Sequence, residues 1–139
     1  MRLLLDTSVL LAASASSSGA SREIFRLAPA KGWILIATPY ILAEVARNLP
    51  DFPLAATTEW LRLSAQLIIM DDVLTLDRRV IFPAGKDRPI LFAAVAWADV
   101  LLTLDRGDFE SLLGGESYGL SVLKPGPFVA SERASENEN

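Results

Sequence analysis

Four acidic residues stand where a folded chain could bring their carboxylates together. Asp6 directly follows the apolar run LLL, and Asp105 follows the run VLL with two residues between. Glu44 and Asp87 belong to segments between such runs. Carboxylates a few ångströms apart repel one another, and a divalent cation relieves that repulsion. Since the chain contains no histidine or cysteine, oxygen ligands would select Mg²⁺ or Mn²⁺, which keep water ligands and contact phosphate oxygens.

Each acid also has an ordinary structural interpretation. Asp6 and Asp87 could each cap a helix, Glu44 could be a solvated helix residue, and Asp105 could lie in a turn. For one acid taken alone, capping and turn roles are the more frequent fate of aspartate. The order and placement of all four together favour a shared site.

Composition excludes several kinds of catalysis. Without histidine there is no Ser-His-Asp triad and no imidazole pair for metal-free RNA cleavage, and without cysteine there is no thiol nucleophile or disulfide. The chain has 13 Lys and Arg against 17 Asp and Glu, a net charge of −4. A polyanionic substrate would therefore need positive charge supplied locally.

Short unbroken apolar runs predict strands that are buried on both faces of a parallel sheet. These runs lie at 3–5, 33–36, 67–70 and 100–102, with a weaker one at 121–123. Helices are predicted between them, at 20–28, 39–48, 53–65, 89–98 and 109–113. This alternation predicts an α/β fold, a three-layer α/β/α sandwich with a mainly parallel sheet of about five strands.

The 139 residues, 51% of them hydrophobic, are enough for one domain. We expect it to occupy residues 1–125, with a loop at 14–19. Residues 126–139 are expected to form a C-terminal tail, disordered from Ser131 because that end lacks apolar residues. No apolar run is long enough to span a membrane, and Asp6 interrupts the N-terminal run too early for a secretory signal. We therefore expect a cytoplasmic protein without membrane contact.

Sequence periodicity places the other two acids near the same edge of the sheet. Glu44 borders the apolar stripe of its helix instead of facing water squarely. Asp87 precedes the segment ILFAAVAW, which is apolar all round and so predicts a buried helix. Parallel sheets bind ligands beyond the carboxyl ends of their strands, where Asp6 and Asp105 also lie.

Three blocks of sequence, in this order, are typical of one family. The first is LLLDTSVLLAA, the second ATPYILAEVARNL and the third KDRPILFAAVAWADVLLTLDRGDF. They resemble the PIN-domain metal-dependent nucleases, especially the VapC-like toxins of type II toxin–antitoxin pairs. The resemblance extends from Leu3 to about Leu123, so that 1–125 is identified as a single PIN-like nuclease domain.

That resemblance implies an endoribonuclease with one or two Mg²⁺ or Mn²⁺ ions, which activate water for attack on RNA phosphodiesters. The residues that would bind metal and catalyse the reaction are Asp6, Glu44, Asp87 and Asp105. Ser8 and Thr103 would orient ligands or water. Asp108 is a candidate auxiliary acid, with a helix-start role as the alternative.

Basic residues near these acids in the sequence could contact RNA. The candidates are Arg47, Lys86, Arg88 and Arg106. Arg78 and Arg79 are expected to make at most a peripheral contact with the substrate. Each could equally be a surface residue that aids solubility. The resemblance further implies an antitoxin protein as partner and a homodimer, because many relatives form dimers and dock an antitoxin segment over the acidic groove.

Two other functions fit part of the pattern. A receiver-like signalling domain could use Asp71 as its phosphorylated residue, with Thr103 and Lys124 as its conserved hydroxyl and amine. A PIN fold that has lost catalysis could act as a binding module, although the complete acid set argues against it. Function cannot be assigned from fold-level analogy alone.

The tetrapeptide TLDR occurs twice, at 75–78 and 103–106. The second copy ends an apolar strand that follows a buried helix, whereas the first follows two aspartates that have already ended a strand. We therefore predict that Asp105 belongs to the site and that Asp77 does not.

Overall fold

The computed structural model describes residues 1–73, 88–105, 109 and 119–137. Within these ranges the chain forms five strands, six α-helices and one 3₁₀ turn (Leu49–Asp51). The strands are β1 (Arg2–Leu5), β2 (Ile34–Ala37), β3 (Ile68–Ile69), β4 (Val100–Leu102) and β5 (Ser121–Leu123). The helices are α1 (Thr7–Ala15), α2 (Ala20–Lys31), α3 (Pro39–Asn48), α4 (Leu54–Ser64), α5 (Arg88–Trp97) and α6 (Pro125–Asn137).

All five strands are parallel, in the order β3-β2-β1-β4-β5. The central strand β1 pairs with β2, Leu3 opposite Leu35, and with β4, Leu4 opposite Leu101. The chain first builds outward from β1 through β2 to β3, then continues on the other side of β1 with β4. This reversal creates a switch point at the carboxyl ends of β1 and β4, where such sheets bind ligands.

Both faces of the sheet are covered. Leu3, Leu4 and Leu5 are all 0% exposed, although successive side chains of a strand point to opposite faces. The same holds for Leu101 and Leu102 in β4. The predicted three-layer α/β/α arrangement with a five-stranded parallel sheet is therefore confirmed.

The prediction for the third strand was wrong in one respect. The run at 67–70 was expected to be buried on both faces, but β3 comprises only Ile68 and Ile69, which are 52% and 47% exposed. The reason is strand order, because β3 lies at the edge of the sheet beyond β2. Such a short edge strand offers little backbone for pairing with another chain.

The segment after β1 is more helical than expected. Ser14 was predicted to begin a loop, yet α1 continues through Ala15. The Ser14 hydroxyl donates a 2.9 Å hydrogen bond to the main-chain oxygen of Leu10, which lets a polar residue sit buried within the helix. Helix α2 ends at Lys31 and is followed by Gly32, whose φ of 69° is a left-handed conformation that favours glycine.

The structure also corrects the prediction of a disordered C-terminal tail. Residues 131–137 continue α6, whose buried residues Phe128 and Val129 anchor it to the core. The Phe128 ring lies 5.1 Å, centroid to centroid, from that of Trp33, and Lys31 forms an ion pair with Glu136. Apolar contacts made before Ser131 therefore order the polar residues after it.

Residues 138–139 and most of the predicted helix at 109–113 lie outside the described residues. In the part of the chain that is described, no helix is long and apolar enough to cross a membrane.

Candidate functional site

Asp6 lies at the switch point of the sheet. Its backbone N–H donates a 3.0 Å hydrogen bond to the main-chain oxygen of Leu102, so the residue stays between β1 and β4 after β1 has ended. Its Oδ1 accepts a 2.6 Å hydrogen bond from the backbone N–H of Thr7, which caps α1. Asp6 therefore caps α1, as its structural interpretation predicted. It also lies at the edge of the sheet where folds of this type bind ligands.

Two hydroxyls hold the other oxygen of Asp6. Thr103 Oγ1 donates to Oδ2 at 2.7 Å, and Ser8 Oγ donates to the same atom at 3.1 Å. Thr103 is completely buried, and Asp6 is 4% exposed. Both hydroxyls lie against Asp6, while their part in orienting a ligand stays a prediction.

Burial raises the pKa of the Asp6 carboxyl above its ordinary value. The hydrogen bonds from Thr103, Ser8 and Thr7 pull that pKa back down, and the neighbouring charge of Asp105 pushes it up. A carboxylate that is desolvated and also faces a second carboxylate is costly to ionise. A cation at this position would remove that cost.

Glu44 approaches Asp6 from α3. This helix begins after β2, where the Thr38 hydroxyl accepts a 3.4 Å hydrogen bond from the backbone N–H of Ile41. Glu44 is 9% exposed, and its Oε1 accepts a 3.0 Å hydrogen bond from Thr7 Oγ1. The sequence prediction that Glu44 borders the buried face is confirmed.

Asp105 stands at the exposed side of the site. Its backbone N–H donates a 3.0 Å hydrogen bond to Thr103 Oγ1, and the preceding Leu104 N–H donates to Ser8 Oγ at 3.2 Å. The hydroxyls that hold Asp6 therefore also hold the backbone after β4. Asp6 and Asp105, which are 99 residues apart in the sequence, therefore belong to one hydrogen-bond network.

Three of the four predicted acids line a single cleft of about 210 Å³. The described residues that line it are Asp6, Thr7, Ser8, Leu11, Glu44, Asn48, Ile90 and Asp105. The lining therefore combines three carboxylates, two hydroxyls and one amide with apolar contacts from α1 and α5.

Several candidates cannot be placed. Asp87, Asp108, Lys86 and Arg106 lie outside the described residues, as do Arg78, Arg79 and Asp77. The first residue of α5 is Arg88, whose side chain is likewise not described. Arg47 is exposed on α3 and is not among the described residues that line the cleft. The RNA contacts of the basic residues, the metal-binding role of Asp87 and the auxiliary role of Asp108 stay predictions.

The donor atoms at the cleft suit a hard cation. Carboxylate and hydroxyl oxygens are the ligands that Mg²⁺ and Mn²⁺ prefer. Among residues 1–73, 88–105 and 119–137, no three acidic side chains are grouped tightly enough to hold a metal ion. Asp6, Glu44 and Asp105 would therefore need water ligands or Asp87 to complete a coordination shell, as Mg²⁺ sites in proteins commonly do.

Two residues of the cleft, Thr7 and Asn48, were not identified from the sequence. Thr7 donates its hydroxyl to Glu44, and Asn48 lines the cleft while its Nδ2 donates a 2.7 Å hydrogen bond to the main-chain oxygen of Glu44. Asn48 could have been found from helical spacing, because it follows Glu44 by four residues and therefore shares its face of α3. No comparable signal distinguishes the hydroxyl of Thr7 from that of Ser8.

Strand order argues against a receiver-like domain. That fold has the order 2-1-3-4-5, which places its third strand beside the first. Here β2 separates β3 from β1, so Asp71 follows an edge strand. Thr103 instead donates to Asp6.

A larger cleft, about 500 Å³, lies between α2 and α4, and three arginines line it. Arg22 is buried and donates to the main-chain oxygens of Ala13 and Ser14, in addition to its 3.0 Å ion pair with Glu59. Arg62 also pairs with Glu59. Glu59 is the single acid among the described residues that line this cleft, and Arg22 holds α1, α2 and α4 together.

Comparison with known proteins is consistent with this geometry. Residues 2–107 match the PIN domain, a range that includes every predicted metal-binding acid. The chain is also similar to one in the crystal structure of VapBC2 from Rickettsia felis bound to a DNA fragment from their promoter. The TM-score is 0.64 at 16% identity, covering 89% of this chain and 98% of that chain, a likeness that concerns the fold alone. None of the curated proteins matches the chain.

Proposed function

Since the chain belongs to the PIN-domain family, we propose that it is a metal-dependent endoribonuclease acting at the cleft beside Asp6. One observation carries the proposal. Asp6, Glu44 and Asp105 come from three different parts of the chain, line the same cleft and are connected through hydroxyl groups. The family is typically composed of nucleases, and a phosphodiester is the substrate class that a carboxylate-bound Mg²⁺ or Mn²⁺ suits.

Each acid contributes differently to such a site. Asp6 and Glu44 are buried and held by hydrogen bonds, so they offer oxygens in fixed positions. Asp105 is exposed to solvent, so a substrate would reach the cleft from its side. Asp87 is proposed as the fourth acid on the family resemblance. One or two bound Mg²⁺ or Mn²⁺ ions would supply an activated water and stabilise the leaving oxygen.

Substrate binding must overcome the negative charge of the protein. The net charge of −4 and three carboxylates at one cleft repel an RNA backbone unless a cation is bound. Metal binding would therefore precede or accompany RNA binding. Arg47 is exposed on α3 and precedes Asn48, which lines the cleft, so it is a candidate for contacting RNA.

The biological role that we propose is that of a toxin in a type II toxin–antitoxin pair, acting in the cytoplasm as a homodimer. The sequence resemblance to VapC-like toxins and the structural likeness to a chain of VapBC2 support this role. An antitoxin protein would be its partner. Expression of the protein should arrest growth, and co-expression of a neighbouring antitoxin gene should restore it.

The enzymatic proposal is tested by incubating purified protein with RNA in MgCl₂ or MnCl₂. We expect RNA fragments that disappear when EDTA is added and return with excess metal. Asp6→Asn should abolish cleavage, whereas Asp51→Asn, which changes an exposed aspartate in the Leu49–Asp51 turn, should not. Cleavage that persists in EDTA would contradict the metal-dependent reaction. A folded protein that binds RNA but never cleaves it would support the alternative of a binding module.

A further inference from the structure

Thr7 is hydrogen-bonded to two of the acids at the cleft, Asp6 and Glu44. The backbone N–H of Thr7 donates to Asp6 Oδ1 at 2.6 Å, and its hydroxyl donates to Glu44 Oε1 at 3.0 Å. Asp6 and Glu44 lie on different elements, the end of β1 and the middle of α3. Thr7 is therefore the direct link between them.

The position of Thr7 makes this link rigid. It is the first residue of α1, directly after the capping Asp6, and is 9% exposed. A threonine side chain in a helix has only about two accessible χ1 rotamers, so few hydroxyl directions are open to Thr7. Glutamate, by contrast, has several rotatable bonds and loses rotamer entropy when it is fixed in one orientation.

The hydroxyl of Thr7 leaves part of Glu44 available. Oε1 accepts the bond from Thr7, whereas Oε2 has no hydrogen bond to any residue that the structure describes. The bond therefore selects one orientation of the carboxylate and leaves an oxygen for another ligand. The main chain of Glu44 is held separately, through Asn48 Nδ2.

We infer that Thr7 is a positioning residue, whose hydroxyl orients the Glu44 carboxylate for a divalent cation shared with Asp6. This inference rests on the proposed metal-dependent function and assigns a task to a residue outside the four acids. Partners of this kind, which hold a metal ligand without touching the metal, typically contribute about 10–100-fold to metal affinity.

The test measures Mn²⁺ affinity by titration calorimetry, together with Tm. Thr7→Val removes the hydroxyl at nearly constant shape, and we expect Mn²⁺ binding to weaken by about 10–100-fold. Thr7→Ser retains the hydroxyl and should bind Mn²⁺ close to the wild-type affinity. Thr38→Val removes another buried hydroxyl, at the start of the helix that carries Glu44, and should lower Tm without weakening Mn²⁺ binding.

A double-mutant cycle decides whether Thr7 acts through Glu44. In a Glu44→Gln background, Thr7→Val should cause little further loss of Mn²⁺ affinity, because the carboxylate that the Thr7 hydroxyl would orient is already gone. An equal loss in both backgrounds, or wild-type affinity in Thr7→Val, would overturn the inference. Thr7→Ala removes the same hydroxyl with a smaller side chain and must show the same dependence on Glu44. Absence of Mn²⁺ binding in the wild-type protein would instead overturn the proposed metal centre, and this inference with it.

Discussion

The Thr103 hydroxyl donates a 2.7 Å hydrogen bond to Asp6 Oδ2, joining residues 97 positions apart at the switch point of the sheet. The same hydroxyl accepts a 3.0 Å hydrogen bond from the backbone N–H of Asp105. Thr103 thus bridges a buried acid on one strand and an exposed acid after its neighbour. Together with Ser8, which contacts Asp6 and the Leu104 N–H, Thr103 sets the relative position of two acids of the candidate site.

Thr103→Val should therefore disturb both the stability and the charge state of the site. It leaves the buried Asp6 carboxylate and the Asp105 N–H each short of a partner, which costs about 1–3 kcal/mol for an unsatisfied buried group. It also removes the strongest interaction that lowers the pKa of Asp6, so that pKa should rise further. Urea unfolding and carboxyl-carbon NMR titration would measure these two effects. Thr103→Ser is the matched control, and a pKa of Asp6 that moved equally in both variants would contradict this explanation.

The pH dependence of the free energy of unfolding should reflect the ionisation of Asp6. Because burial raises the pKa of Asp6 in the folded state, the folded protein holds that proton more tightly than the unfolded chain does. Its contribution to stability is present below the ordinary aspartate pKa and is lost as pH rises through the raised value. In EDTA, Asp6→Asn should therefore gain stability relative to wild type as pH increases from 4 to 8, measured by urea unfolding. A difference independent of pH would show that Asp6 is not the group responsible.

Divalent cations should stabilise the wild-type fold. Mn²⁺ at 100 times its Kd adds about 2.7 kcal/mol to the free energy of unfolding if it binds only the folded state. Differential scanning fluorimetry should detect this as a rise in Tm that EDTA reverses. Asp6→Asn should lose the rise, while Asp51→Asn should keep it. An equal rise in both variants would locate Mn²⁺ binding away from the cleft.

The helix that follows Asp6 also depends on a buried arginine. Arg22 Nε donates a 2.6 Å hydrogen bond to the oxygen of Ala13, and its terminal nitrogens contact Ser14 and Glu59. Arg22→Met should destabilise the fold by about 1–3 kcal/mol, because carbonyls at the end of α1 lose a buried donor. Arg62→Met removes an exposed partner of Glu59 and should change Tm little. Similar losses in the two variants would mean that the ion pair with Glu59, and not the carbonyl contacts, sets the effect.

Much of the fold follows from the apolar runs alone. Runs buried on both faces predict a parallel sheet, and the positions of β1, β2 and β4 agree closely with that pattern. Strand order does not follow from the runs, which explains the error at Ile68 and Ile69. Their apolar character resembles that of central strands, while their exposure is set by which strands lie beside them.

The candidate site was predictable to a similar degree. Asp6 and Asp105 follow strands, and Glu44 borders an apolar stripe of its helix. Their residue types and sequence positions are therefore enough to predict that they lie at one edge of the sheet. The hydroxyl contacts of Thr7 and Ser8 depend on side-chain directions at the start of α1, which sequence spacing does not specify. The end of α6 was missed for a related reason, since its order comes from packing of Phe128 and not from its own composition.

The most direct test of the account compares two copies of the same tetrapeptide. Asp105→Asn and Asp77→Asn make the same chemical change in TLDR, and only Asp105 is proposed to act at the cleft. RNA cleavage in MnCl₂ should be lost in Asp105→Asn and nearly unchanged in Asp77→Asn, with both variants folded by circular dichroism. Full cleavage by Asp105→Asn, or loss of cleavage only in Asp77→Asn, would contradict the proposed site.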